Sequence, residues 1–376
     1  MKVALVHDWL DTWAGGENVL EHLAALFPGA PLFTLVDFFP QRLRQRLGPR
    51  EISVSFLQRM PFARTSFRRY LPLFPRAIES FDVSGFDVVI SSSHAVAKGV
   101  RTSASQLHVC YCYSPMRYAW DLRDQYLAQV GLHGGLRGSV ARRMLDRLAA
   151  WDLRASSRVT TFVAISKYIA ARIARCYGRE AAVIYPPVDL PTTLATGPRE
   201  PGLYVTVSRL VPYKRIDVIA AAFRELPNRR LVIVGEGSER ERIEAAAGPN
   251  VRLAGQLDDA GRNALLARAE AFVFAADEDF GIAPIEAQAH GTPVIGYRKG
   301  ALIETVAGLD EARPTGVFFE AQTPEAIAGA IRAFEDSKAR IDPGDCRESA
   351  GRFSSDRFRR EFAAFIAQQH EAFGRR

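Results

Sequence analysis

The sequence predicts an α/β protein of two doubly wound domains, each a parallel sheet with helices on both faces. Short apolar runs alternate with helical patterns in both halves of the chain, the pattern of successive βαβ units. At 376 residues the chain is also too long for one typical domain. Between the halves, Pro186-Pro187-Val188-Asp189 runs into the polar, proline-containing stretch Leu190 to Gly202, which reads as a linker. The expected division is therefore 1–188 and 189–355, with a terminal segment 356–376.

In the first half the expected strands are Val3 to Val6, Leu32 to Val36, Val88 to Ser91, Leu107 to Cys112 and Thr161 to Ile165. In the second they are Leu203 to Val207, Leu231 to Val234, Val251 to Leu253, Ala271 to Ala275 and Val294 to Tyr297. Gly15-Gly16-Glu17 opens a helix that runs to about Phe27. Pro284 to His290 reads as a short helix that Gly291 stops. Asp356 to Phe373 is an amphipathic helix with Phe358, Phe362, Phe365 and Ile366 on one side. No repeat of solenoid period is present. Two such domains place a cleft between them, the default ligand site.

Hydrophobic content of 48% is ordinary for a globular protein and allows a sizeable core. The net charge of +7 suggests an anionic partner: nucleic acid, anionic lipid and phosphorylated substrate all fit charge alone, and no nucleic-acid recognition motif is present. The four cysteines (Cys110, Cys112, Cys176 and Cys346) form no paired or metal-binding spacing and are expected to be reduced and structural. The apolar run at the amino terminus is too short for a signal peptide, and no segment approaches a membrane span. The expected location is cytoplasmic, with peripheral attachment to the inner membrane's cytoplasmic face allowed.

The most informative stretch is Asp277-Glu278-Asp279-Phe280-Gly281-Ile282-Ala283-Pro284-Ile285-Glu286. Two carboxylates, Glu278 and Glu286, stand eight positions apart after an apolar, strand-like run, and loops leaving strand ends in such sheets bind ligands. Glu278 is expected in the loop and Glu286 in the helix's first turn, where acids can grip hydroxyl groups and free N–H groups can hold an anion. The second domain opens with Leu203 to Ser208, followed by Arg209 and Lys214. Those two cations suit a diphosphate; by themselves they are equally a solvated basic loop. Gly15-Gly16 and Val234-Gly235-Glu236-Gly237 each suit close approach to phosphate or sugar, or are plain turns. Asp277-Glu278-Asp279 also mimics a metal-binding DxD motif, but Arg209 and Lys214 already supply positive charge, so no metal is expected.

Together, Gly15-Gly16, Arg209 with Lys214, Gly235-Glu236-Gly237, Glu278 through Glu286 and Gly291-Thr292-Pro293-Val294-Ile295 resemble the retaining glycosyltransferases of family 4. That family has the GT-B architecture of two Rossmann-like domains facing a cleft, in which a C-terminal helix such as 356–376 can pack back on the first. A closer resemblance, to the WbaZ-like bacterial O-antigen and exopolysaccharide mannosyltransferases, is carried by Ser91 to Gly99, Ser114-Pro115-Met116-Arg117-Tyr118-Ala119-Trp120-Asp121 and Glu278 to Ile282.

The resemblance implies a hexosyltransferase using a sugar nucleotide, first of all GDP-mannose, as co-substrate, with no further cofactor. It implies that Arg209 and Lys214 hold the diphosphate, Glu278 the sugar and Glu286 the ribose, with Gly15, Gly16, Gly235 and the backbone of Phe280, Gly281 and Ile282 also lining the donor. The implied acceptor is a lipid-linked (undecaprenyl-diphosphate) oligosaccharide. His94 is expected to touch donor or acceptor, or to be a polar loop histidine; Tyr113, Arg117 and Tyr118 are the other acceptor candidates. Many family members carry a histidine where this chain has Tyr113, a poor base near neutral pH.

Phe56 to Phe81 interleaves Arg59, Arg64, Arg68, Arg69 and Arg76 with Phe62, Phe67, Tyr70, Leu71 and Phe74. That suits an anionic membrane face, a lipid diphosphate, or a merely solvated helix pair. A nucleotide-sugar epimerase of the same architecture and a non-catalytic sugar-nucleotide binder are the alternative functions.

Overall fold

The computed structural model describes residues 1–121, 123–124, 127, 131–132, 134–191 and 198–375; residues 192–197 of the expected linker lie outside them. The chain divides into two units, Met1–Pro187 with Phe358–Arg376, and Val188–Arg357.

Among the described residues the first unit has seven strands: β1 (Val3–His7), β2 (Leu32–Thr34), β3 (Ile52–Val54), β4 (Val88–Ser93), β5 (Leu107–Cys112), β6 (Thr161–Ala164) and β7 (Ala181–Val183). Their order is β3-β2-β1-β4-β5-β6-β7, and every pairing is parallel. The described residues of the second unit form six: β8 (Leu203–Val207), β9 (Arg230–Val234), β10 (Val251–Gly255), β11 (Ala271–Phe274), β12 (Val294–Tyr297) and β13 (Gly316–Phe319). Their order is β10-β9-β8-β11-β12-β13, again all parallel. In both sheets the order reverses after the first strand. The loops leaving β1 and β4, and those leaving β8 and β11, therefore flank a topological switch point, where open α/β sheets bind ligands.

Three strands were not expected. β3 and β7 are three-residue edge strands whose side chains are only partly buried, too short to leave a periodic signal. β13 follows the irregular stretch Asp310 to Thr315 and is recruited by register pairing with β12.

In the second unit, alternate residues feed opposite faces, as strand geometry requires. Tyr204, Ala271 and Val273 enter one core with the helices Ile216–Ala222 and Pro324–Ser337. Val205, Phe272 and Phe274 enter the other, with Leu266 and Ala287. The C-terminal helix, Ser355–Gly374, buries Phe358, Phe362 and Ile366. Phe358 and Phe362 meet Tyr111 edge-on at 5.7 and 5.9 Å, so the helix closes over the first unit's sheet.

All four cysteines are buried thiols. In the Phe56–Phe81 segment Phe67, Leu71 and Phe74 turn inward while the five arginines stay exposed. That is the ordinary division of surface helices; the exceptions are Phe56, at 41% exposed, and Phe62, in a left-handed turn at φ 56° and 78% exposed. No helix among the described residues is long and apolar enough to cross a membrane.

Lys98 and Asp152 form an ion pair at 2.7 Å with neither side chain exposed. Asp152 also accepts from Trp120 Nε1 at 2.9 Å and the Tyr177 hydroxyl at 2.6 Å, and Lys98 donates to the Ala95 carbonyl at 2.6 Å. Burial is the largest single effect and opposes the charge on Lys98, but Asp152, Cys112 and Cys110 together raise the ammonium's pKa. Removing one partner strands a buried charge. Lys98→Met is expected to cost about 3–5 kcal/mol, read as a lowered denaturation midpoint, and adding Asp152→Leu to restore part of it. A single variant with an unchanged midpoint would contradict this.

Candidate functional site

In the second unit, β8 delivers Ser208 and Arg209 into a turn that ends in a short 3-10 segment, Pro212–Lys214. Arg215 then adopts the left-handed conformation at φ 53°. This is uncommon for a residue with a Cβ, and it swings the chain into the helix Ile216–Ala222. The adjacent strand, β11, delivers Asp277 to Phe280. Lys214 Nζ and Glu278 Oε1, both largely buried, form an ion pair, and the ammonium lies 5.7 Å from the Phe274 ring centre. Arg209 is exposed, touches the Tyr213 hydroxyl at 3.3 Å, and has no carboxylate partner among the described residues. The sugar-side acid and one diphosphate-side cation of the sequence reading thus hold each other, while the second cation is open to an anion.

Gly281, left-handed at φ 84°, caps the helix Ile282–Ala289. The helix therefore starts two residues before Pro284, and Glu286 sits in its second turn, not its first. Phe280 is buried edge-on against Phe353 at 5.7 Å, leaving its backbone to form the turn. The N–H groups at the helix start have no intrahelical acceptor.

Glu286 lies 3.5 Å from Arg262. Burial pushes its carboxyl above the usual range, Arg262 opposes this, and Asp259 and Asp189 add to it. Asp277 is 3.3 Å from Lys299. Among the described residues no cluster of three or more His, Cys, Asp or Glu is placed to hold a metal ion.

Two glycines act through close approach. A Cβ on Gly235 (φ 135°) would stand 1.9 Å from the Ser208 carbonyl oxygen, so the β9 loop packs directly on the strand end that carries Arg209. A Cβ on Gly300 would stand 2.4 Å from the Glu278 carbonyl oxygen, which accepts from Ala301 N at 2.9 Å. Gly300 and Arg262 escaped the sequence reading. Both lie in elements remote in sequence from the acids, and only their polar or small character after a strand or on a helix could have flagged them.

In the first unit, Asp8 follows β1 and is fully buried. It accepts from the backbone N–H groups of His94 and Ala95 at 2.7 and 2.9 Å, and of Val96 and Ala97 at 2.6 and 2.7 Å. His94 Nδ1 lies 3.0 Å from the same carboxylate. Burial works to raise the Asp8 pKa, but His94, His7, the backbone donors and Lys98 together lower it. Beside it, His7 Nδ1 meets Ser92 Oγ at 2.9 Å and His7 Nε2 lies 3.5 Å from Glu17. Gly15 and Gly16 begin the helix Gly15–Leu26, whose start Glu17 secures by accepting from Ala14 N at 2.9 Å.

The Tyr113 hydroxyl donates to the Gly16 carbonyl at 2.9 Å and contacts Ser92 Oγ at 2.8 Å. Burial raises its pKa well above the ordinary phenol value. Tyr113 therefore ties the glycine turn to β4. Arg117 and Tyr118 are half-buried in the turn after Met116. The structure brings His94, Tyr113 and Gly16 together and adds Asp8, His7, Glu17 and Ser92. An acid directly after the first strand of a doubly wound sheet was the signal for Asp8.

Residues 196–352 match the family model of the group 1 glycosyl transferases. The match spans almost the whole second unit. Among curated proteins, the chain is 29% identical over 230 residues to a glycogen synthase of Mycobacterium tuberculosis H37Rv, covering 57% of this chain and 54% of that protein. It is 37% identical over 122 residues to the GDP-mannose-dependent alpha-(1-6)-phosphatidylinositol dimannoside mannosyltransferase of M. tuberculosis H37Ra, covering 32% of this chain and 30% of that one. The chain thus spans about half or less of these relatives' length. Among solved structures, Anabaena HepE in complex with UDP and glucose is similar with a TM-score of 0.66 at 17% identity, covering 98% of this chain and 99% of HepE. The two parallel-sheet, Rossmann-like units are those of GT-B structures.

The raised Glu286 pKa means the folded state keeps this proton to a higher pH than the unfolded chain. Stability is then lost as pH rises through that pKa. Glu286→Gln is expected to raise the thermal midpoint at pH 7, with the gain shrinking toward pH 4. A variant less stable than the parent at pH 7 would overturn this.

Proposed function

We propose that this protein is a retaining, metal-independent glycosyltransferase whose second unit binds a nucleoside-diphosphate sugar. The observation that carries the reading is the convergence, at the β8/β11 switch point, of Arg209, the Lys214–Glu278 pair and the capped helix start after Gly281. Breaking a glycosyl–phosphate bond develops negative charge on the departing diphosphate and positive charge on the sugar. Arg209 and Lys214 stabilise the first. An arriving diphosphate competes with Glu278 for the Lys214 ammonium and frees the carboxylate for sugar hydroxyls. Glu286, one turn into the helix, takes the ribose hydroxyls. The C1–phosphate oxygen bond breaks as the acceptor oxygen bonds to C1 on the same face, and the acceptor's hydroxyl proton passes to the leaving phosphate.

The donor we propose is GDP-mannose, in keeping with the resemblance to WbaZ-like mannosyltransferases and with the GDP-mannose-dependent relative. The acceptor we propose is a lipid-linked oligosaccharide for O-antigen or exopolysaccharide, reached at an anionic membrane surface. The exposed arginines of the Phe56–Phe81 segment and Phe62 support that placement, and attachment at the cytoplasmic face follows from it.

A panel of nucleotide sugars, scored by calorimetric binding and slow hydrolysis, tests the donor; GDP-mannose is expected to bind, and no binding by any member would sink the reading. Turnover that requires an acceptor separates a transferase from an epimerase or a non-catalytic binder. NMR assignment of the product anomer should show retention. Glu278→Ala is expected to lower kcat by roughly a hundredfold or more. Lys214→Ala should weaken both donor binding and rate, and normal values for both would remove it from the diphosphate site.

A further inference from the structure

The turn after β4 is held far more tightly than a connecting loop needs. Asp8 takes four backbone N–H groups on its two oxygens, Lys98 anchors the turn's far end to Asp152, and Arg158 donates to the Gly99 carbonyl at 2.9 Å. His94 stands on this frame with its side chain 34% exposed. Trp9 meets the imidazole edge-on, with ring centres 4.5 Å apart and planes at 88°, which fixes the plane of the ring.

We propose that Asp8 is a positioning residue that holds His94 with Nδ1–H turned inward, so that Nε2 offers its lone pair to a hydroxyl of the bound sugar substrate. The substrate in this inference rests on the transferase reading; the tautomer does not. Each Asp8 oxygen already faces two backbone N–H donors, so a carboxyl proton would point at a donor, and Asp8 is an acceptor only. His94 Nδ1, 3.0 Å away, must then carry the hydrogen. In a neutral imidazole the other nitrogen is an acceptor.

The charged and titratable neighbours are Asp8 and His7 from β1 and its end, Glu17 from the Gly15–Leu26 helix, Lys98 from the turn itself and Tyr113 from the end of β5. Beyond Trp9 stands the Arg68–Asp11 pair. Burial holds the His94 pKa below its ordinary value, with Asp8 and Glu17 pulling upward and His7 and Lys98 downward. The ring is therefore neutral at pH 7, as an acceptor at Nε2 requires.

The test is nitrogen-15 NMR of histidine-labelled protein, with His94 assigned by its loss in His94→Gln. The expected wild-type spectrum shows His94 protonated at Nδ1 and bare at Nε2 at pH 7; an Nε2–H tautomer overturns the proposal whether or not the protein is a transferase. Addition of GDP-mannose alone should move the Nε2 resonance if the hydroxyl belongs to the donor. A shift only when acceptor is also present assigns it to the acceptor, and no shift with either overturns the substrate contact.

In Asp8→Asn the kcat is expected to fall roughly tenfold to a hundredfold, as loss of an orienting partner does, with donor KM little changed. The acid limb of the pH–rate profile should move to lower pH, because the charge that raises the His94 pKa is gone. An unmoved acid limb in a folded variant overturns the positioning role. Should Asp8→Asn fail to fold, the wild-type tautomer decides.

Discussion

Asp8 sits where the first sheet reverses its strand order, and its two oxygens gather four consecutive backbone N–H groups of the turn after β4. A parallel sheet leaves such a turn with donors that have no ladder partner, and burying them unpaired would be costly. A single carboxylate satisfies all four and receives the His94 side chain as well. The charge survives burial because donors surround it, the condition under which a buried carboxylate stays ionised. The Lys98–Asp152 pair at the other end of the turn obeys the same rule, with Trp120, Tyr177 and the Ala95 carbonyl filling the remaining positions.

The second unit reaches a comparable geometry by other means. Its switch point is shaped by backbone contact: Gly235 against Ser208 and Gly300 against Glu278. Its charges are arranged in a compensated pair, Lys214 with Glu278, beside Arg209, which has no carboxylate partner among the described residues. The pairing leaves neither Lys214 nor Glu278 as a naked, largely buried charge. Glu286, less well compensated by Arg262 at 3.5 Å, keeps an elevated pKa at a cost to stability above the ordinary carboxylate range.

Much of this was legible in the chain. The alternation of apolar runs and helical patterns indicated two parallel α/β units, and ten of the thirteen strands among the described residues stand out as short apolar runs. Glu278, Glu286, Arg209 and Lys214 stood out because acids and cations directly after strands mark ligand loops. β3 and β7 were silent, since three half-exposed residues carry no period. The helix start at Ile282 was misplaced because Pro284 is a strong helix-start signal while the left-handed turn at Gly281 is a tertiary choice.

Residue types and their spacing were enough to define the fold class, the strand-end loops and the acidic and basic groups within them. Tertiary structure decided which of those groups meet. Lys214 and Glu278 are 64 positions apart, and Asp8 and His94 are joined across 86. Pairings at that range depend on strand order and on which loops share a sheet edge, and local periodicity contains neither. The same holds for Tyr113, whose hydroxyl is committed to Gly16 and Ser92 only because β1, β4 and β5 lie side by side.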